Sequence, residues 1–208
     1  MPKRSKSSNR WLQEHTRDPY VKRAHQEGWR SRAVFKLEQI QRAERLIKPG
    51  MLIVDLGAAP GGWSQFAART LAGNGEVFAL DVLPMPEVPG VTFIQGDFRE
   101  QECLDRLVAA LKGRKVDLVM SDMAPNLSGI DAVDHPRSMH LAELALEFAV
   151  SVLEPGGALL LKLFQGSGFQ ELVQAVRQRF TTVKLRKPEA SRARSAEVYL
   201  LARSPRMV

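Results

Sequence analysis

At 208 residues the chain is long enough to bury a core of its own, and 44% apolar with 25% charged residues is ordinary for a globular protein. Apolar runs such as Ala158 to Leu161 are far too short to span a bilayer, and no apolar stretch follows the opening charges Lys3, Arg4 and Lys6. One cysteine, Cys103, excludes an internal disulfide and a multi-cysteine metal site, so a cytoplasmic protein with no membrane partner is expected. The net charge of +7 is unevenly placed: residues 1–23 carry +5, residues 184–194 carry +4, and the remainder is slightly acidic at −2. Two basic segments on an acidic body point to a polyanion partner, of which nucleic acid is the commonest.

In chain order, residues 1–28 read as a basic N-terminal arm, the first ten or so disordered and the rest irregular. From Ser31 a helical period begins (Ala33, Val34, Leu37, Ile40, Leu46), and Pro49-Gly50 ends it. Lys36 falls in this helix, where a solvated face is the plain reading. Strands are expected near 51–56, 76–81, 91–95, 116–121, 157–163, 181–186 and 196–202. Helices are expected near 62–71, 100–112, 137–153 and 168–179. Apolar strands alternating with helices predict one α/β domain over residues 29–208, a mostly parallel sheet covered on both faces. The last two strands run together through a short basic loop, so one of them is expected to be antiparallel.

The stretch Leu52 to Phe66, LIVDLGAAPGGWSQF, joins an apolar run ending in Asp55 to a glycine-rich turn and a helix start. That is where open α/β sheets bind ligands. The turn reads G-x-x-x-G-G over Gly57, Gly61 and Gly62, without the middle glycine of a dinucleotide fingerprint and without the Gly-Lys-Ser/Thr of a P-loop. Acids recur at the ends of successive strands: Asp55, Asp81 (20 residues after Gly61), Asp97 and Asp122. Four carboxylates along one rim suit a ligand bearing positive charge and hydroxyls rather than phosphates. S-adenosylmethionine, with its amino group, sulfonium, ribose diol and adenine amine, has that chemistry. Two further charges, Lys162 in LLLKLF and Glu197 at the start of EVYLL, interrupt apolar strands, where ionisable residues are paired, at strand ends or functional.

The segments SRAVFKL, VDLGAAPGGWSQ, QGDF, SDMAPN, LLLKLFQG and SRARSAEVYLL, in this order, resemble the FtsJ-like family of RNA 2′-O-ribose methyltransferases. The likeness runs from about Ser31 to Leu201 and is closest to bacterial members acting on 23S ribosomal RNA. It implies a Rossmann-like S-adenosylmethionine-dependent methyltransferase fold, a seven-stranded sheet with the last strand antiparallel, which agrees with the strand count above. The family's Lys–Asp–Lys–Glu tetrad falls on Lys36, Asp122, Lys162 and Glu197. Its cofactor contacts fall on Gly61, Trp63, Asp81, Asp97 and Asp122, and Gly57 opens the same loop. The reaction implied is methyl transfer from S-adenosylmethionine to a uridine 2′-hydroxyl in the A loop of 23S ribosomal RNA. S-adenosylhomocysteine is the product, the assembled large subunit the substrate, and no metal is involved. Residues 1–23 and 184–194 would hold the subunit, and the chain is expected to act as a monomer.

Such a displacement must align a weak nucleophile and remove its proton. Lys162 is the proposed proton acceptor. A lysine must first lose its own proton, and two cations among two anions leave that balance open, so an alternative role is stabilising a developing alkoxide. Methylation at a pyrimidine C5 would want a cysteine nucleophile, and Cys103 lies in an expected helix beside Leu104 and Leu107, a structural setting. His15, His25, His135 and His140 have no metal-ligand spacing. The rival readings are a 2′-O-methyltransferase of another RNA such as tRNA, a non-catalytic RNA-binding assembly factor, and a nicotinamide-dependent oxidoreductase, which the loop disfavours.

Overall fold

Strand β1 (Leu52–Leu56) is buried at all five positions and β4 (Val116–Ser121) at all but one, the burial that places strands in the middle of a covered sheet. The structure, a computed structural model, describes residues 18–124, 131–192 and 195–206. Seven strands form one sheet in the order β3-β2-β1-β4-β5-β7-β6, with β2 Glu76–Asp81, β3 Val91–Gln95, β5 Leu153–Phe164, β6 Phe180–Arg186 and β7 Glu197–Pro205. The first five strands pair in parallel, and β7 lies antiparallel between β5 and β6. The α/β class, strand count and antiparallel last strand are therefore as expected.

Alternate residues of each strand face opposite layers. Ile53, Leu118, Met120, Leu160, Tyr199 and Leu201 pack on α2 (Val34–Glu44) and α3 (Gly62–Leu71). Val54, Val119, Leu159, Leu161 and Leu200 pack on α4 (Gln101–Leu111), α5 (Asp131–Val152) and α6 (Phe169–Arg179). Cys103 is buried within this second layer, where burial pushes its thiol up, as befits a packing residue.

Three expectations change. Within the supposedly irregular arm, Pro19–Gln26 forms a helix, α1, whose first turn is capped by Asp18 accepting from the Tyr20 N–H at 2.9 Å. Its Ala24 and Tyr20 pack against Val34 and Phe35 of α2. Residues 1–17 of the arm lie outside the described residues. Strand β5 begins four residues before the expected 157 because Val116 of β4 pairs with Leu153 while Leu118 pairs with Ala158. The intervening residues bulge, and Gly157 sits where a Cβ would lie 3.1 Å from the Val116 carbonyl. Helix α5 starts at Asp131, with Pro136 inside it rather than before it.

Candidate active site

The parallel strands end on one rim, and β7, running the opposite way, begins there. Glu197 at the start of β7 therefore lies across from Phe164, and Tyr199 across from Lys162, near the end of β5. Period-2 alternation puts Lys162, Glu197 and Tyr199 on the sheet face that α2 covers. Lys36, in the first turn of α2, descends onto this face. Its Nζ lies 2.7 Å from Glu197 Oε1 and donates to Oε2 at 2.8 Å, in a buried pair. Lys162 Nζ lies 3.1 Å from Asp122 Oδ1 and donates to the Asp122 carbonyl, with 7% of the lysine side chain and 18% of the aspartate exposed.

Tyr199 joins the two pairs. Fully buried, it donates its hydroxyl to Asp122 Oδ1 at 2.9 Å, and its ring lies 5.7 Å from Lys36 Nζ and 5.7 Å from the Trp63 ring. Burial, then the charges of Asp122 and Glu197, raise its hydroxyl well above the ordinary tyrosine value, so it stays a donor. Ser191 donates to Glu197 Oε1 at 2.8 Å and completes that carboxylate's shell. Sequence reasoning passed over both residues. Tyr199 was within reach, since it follows Glu197 by two in a strand and must share its face.

Beside this cluster lies a cleft of about 160 Å³, lined by Gly57, Pro60, Gly62, Trp63 and Asp122 together with residues 31–33. Glycine is required at two corners of the loop from Gly57 to Gly62. At Gly57 (φ 76°) a Cβ would fall 2.4 Å from Met123 Cγ, so the loop closes directly on the residue after Asp122. At Gly61 (φ 101°), which precedes α3, a Cβ would meet Met85 Sδ at 2.8 Å. Trp63 is almost wholly buried and donates its indole N–H to the Ala33 carbonyl at 2.9 Å.

The cleft thus gathers Gly57, Trp63 and Asp122, whereas Gly61, Asp81 and Asp97 are not in its lining. Asp81 accepts from the Ala59 N–H at 2.9 Å and the Leu83 N–H at 2.8 Å. Asp97, one strand further out, is held below the usual carboxylate range by hydrogen bonds from Arg99. Asp55 departs from the expected row of rim acids. It has no exposed surface, accepts from Ser64 Oγ at 2.6 Å, and its Oδ1 has no hydrogen-bond partner among the described residues. Burial, with Asp122 and Asp81 nearby, pushes it up to about 7. It lies beneath the loop rather than in the ligand row. No group of three or more potential metal ligands occurs among the described residues.

The family model of FtsJ-like methyltransferases matches residues 29–204. This chain belongs to the FtsJ-like methyltransferase family. A family relative from Xanthomonas oryzae, named ribosomal RNA large subunit methyltransferase E, is 58% identical over 207 residues, covering 100% of this chain and 99% of its own length. A crystal structure assigned to a ribosomal RNA methyltransferase of Plasmodium falciparum superposes with a TM-score of 0.77 at 27% identity, covering 85% of this FtsJ-like chain and 98% of that one. A Streptococcus mutans structure assigned to a methyltransferase in complex with SAH shares the fold at a TM-score of 0.50 and 14% identity, over 77% and 90% of the two chains.

Proposed function

We propose that this FtsJ-like methyltransferase moves a methyl group from S-adenosylmethionine to the 2′-hydroxyl of a uridine in the A loop of 23S ribosomal RNA, within the assembled large subunit. The observation that carries the reading is the pair of linked ion pairs, Lys36–Glu197 and Lys162–Asp122, set beside the glycine-loop cleft. Replacing buried ion pairs with apolar residues is often neutral or stabilising, so two side by side are better explained by chemistry than by stability. The 58% identical relative named for large-subunit ribosomal RNA supports the substrate.

The residues at hand fit the cofactor. The loop Gly57–Gly62 carries no cation to hold a phosphate, and Asp81, bonded to the loop, with Asp122, in the cleft lining, favours a positively charged donor. Each Asp81 oxygen accepts only one backbone N–H, which leaves lone pairs for a ribose diol. Val82 and Leu83, 60% and 61% exposed beside it, offer apolar surface to a base. The cleft of about 160 Å³ suits the methionine end. When bound, the cofactor supplies an electrophilic methyl group on a sulfonium.

Lys162 Nζ donates to the Asp122 carbonyl and lies 3.1 Å from Asp122 Oδ1, which fixes its direction and leaves a further position for the substrate hydroxyl. For the transfer Lys162 would first release its own proton to solvent and then, as the neutral amine, take the hydroxyl proton while the ribose oxygen takes the methyl group that the cofactor would supply, leaving the cofactor a neutral thioether. Lys36, fixed by both Glu197 oxygens, stabilises the negative charge that builds on the ribose oxygen. Asp122 serves both the cleft and Lys162, so its loss should damage binding and turnover together.

Incubation with methyl-labelled S-adenosylmethionine and large ribosomal subunits, followed by nucleotide mapping, tests the reaction. Label on a uridine ribose is expected; label on a base, on protein or nowhere overturns it. Lys162→Ala should lower turnover by at least about 100-fold, the low end for a general base, with cofactor affinity within a few-fold. Near-normal methylation by that variant would remove Lys162 from the proton-accepting role.

A further inference from the structure

A second concavity, about 400 Å³, opens between α2 and the end of β6. Buried Ile40 and Pro188 form its floor, Ala43 its edge, and Arg42 and Lys187 its exposed rims, with Glu189 the one acid in the lining. Neither rim cation is locked away. Among the described residues Arg42, 77% exposed, has a loose ion-pair contact of 3.8 Å with Glu38, and Lys187 Nζ donates one hydrogen to the Ser195 carbonyl. Arg186, also in the lining, is anchored on Glu44, a buried carboxylate that also receives Lys184 and is held below its ordinary range against its own burial. It fixes the wall.

The groove and the candidate active site share helix α2 and the segment that leads into β7. Lys36, Ile40 and Ala43 recur at helical spacing along α2, so Ala43 lies about 10 Å along the helix axis from Lys36. The opposite wall runs from Pro188 through Ala190, whose N–H donates to Gln39 at 3.0 Å, to Ser191 and its bond to Glu197. Charge along the rim is also divided. Asp81, Asp97 and Asp122 lie on the β3–β4 side, while on the β6 side Lys184 and Arg186 gather around Glu44 and Lys187 stands beside Glu189 and Arg42, an excess of positive charge. A polyanionic strand that presents one ribose to Lys162 is repelled toward the first side and attracted toward the second. The volume is at the small end of the roughly 300–1,000 Å³ usual for ligand pockets, room for one nucleotide rather than a duplex.

We infer that this groove is a subsite for a single-stranded nucleotide flanking the modified ribose, with base and sugar over Ile40, Ala43 and Pro188 and phosphates against Arg42 and Lys187. The inference rests on the RNA-methylation reading above. The test uses the full chain, labelled S-adenosylmethionine and assembled large subunits. The double variant Arg42→Ala/Lys187→Ala should raise KM for the subunit about tenfold, with the effect on KM rather than kcat. The log–log salt dependence of binding should flatten by about one unit, as for two lost contacts to a single strand. Ala43→Cys carrying a photo-crosslinker should capture ribosomal RNA within a few nucleotides of the methylated uridine; Cys103 is buried and does not compete for the label. An unchanged KM and salt slope overturns the subsite, as does a crosslink to a ribosomal protein or to distant RNA. A wild-type enzyme that labels no ribose overturns the reading of the active site itself.

Discussion

Asp55 sits in β1 directly before the glycine loop, has no exposed surface, and keeps one oxygen without a hydrogen-bond partner among the described residues. Its carboxyl titrates at about 7 because burial outweighs the hydrogen bond from Ser64, with Asp122 and Asp81 adding repulsion. The group is thus protonated in the folded protein where the unfolded chain has already ionised. Between the ordinary value of 3.8 and about 7, the native state holds a proton that the unfolded state has lost. Stability therefore falls as pH rises through that window and levels off above it, by about 4 kcal/mol in total. Asp55→Asn removes this dependence while leaving an oxygen for Ser64 Oγ to donate to. In urea unfolding of the ligand-free protein, wild type should lose about 2–3 kcal/mol more than the variant between pH 5 and pH 8. Parallel profiles would show that Asp55 is already ionised at pH 5. As an acid after an apolar run, Asp55 was legible as a residue of interest. Its burial was not, because that depends on Ser64 closing over it from α3.

At the scale of elements, the link between α1 and α2 ties the arm to the glycine loop. The Arg30 guanidinium donates to the carbonyls of Pro60, Pro86 (2.6 Å) and Glu87. Its backbone N–H donates to Gln65 Oε1 at 3.1 Å, and Gln65 Nε2 donates to the Gly28 carbonyl at 2.9 Å. Trp29 packs between Phe66 and Arg69, and Arg32 pairs with Asp18 at 3.0 Å while donating to the Ala190 carbonyl at 2.6 Å. Arg30→Ala frees the glycine loop from residues 86 and 87, so cofactor affinity should fall about tenfold, or about 1.4 kcal/mol, measured by calorimetry. Arg30→Lys, one point charge in place of a fork, should not restore it. Unchanged affinity in Arg30→Ala would mean that the loop holds its shape alone. None of this network was visible in the sequence, because the Arg30 guanidinium bonds to backbone carbonyls 30 or more residues away. The sheet strands were visible because each is a compact apolar run. Helix α1 was not, since its apolar positions, Tyr20, Val21 and Ala24, are too few to establish a period and count only once Phe35 is beside them.

Across the whole molecule, the two basic segments have different supports. Residues 184–192 are built into β6 and the groove wall, while residues 195–206 continue into β7, with 193 and 194 lying outside the described residues. The N-terminal charge divides at Asp18. Lys22 and Arg23 belong to α1, and Arg23 is committed to Glu27 at 2.6 Å with its guanidinium 4.2 Å from the Phe35 ring. The net +5 of residues 1–23 suggests a polyanion partner, but a deletion at residue 23 would cut α1 in half and strip Tyr20 and the Asp18 cap from the packing on α2. The clean truncation removes residues 1–17, which carry Lys3, Arg4, Lys6, Arg10 and Arg17 against Glu14. That variant should keep its thermal midpoint and cofactor affinity, since Asp18 still caps α1 and pairs with Arg32. Its affinity for large subunits should fall, and the log–log salt slope should flatten by up to about three units if the lost net charge of +4 all meets phosphate. Truncation after residue 23 should in addition lower the midpoint. Equal salt slopes for the full chain and the shorter one would assign subunit binding to the β6 side of the rim alone.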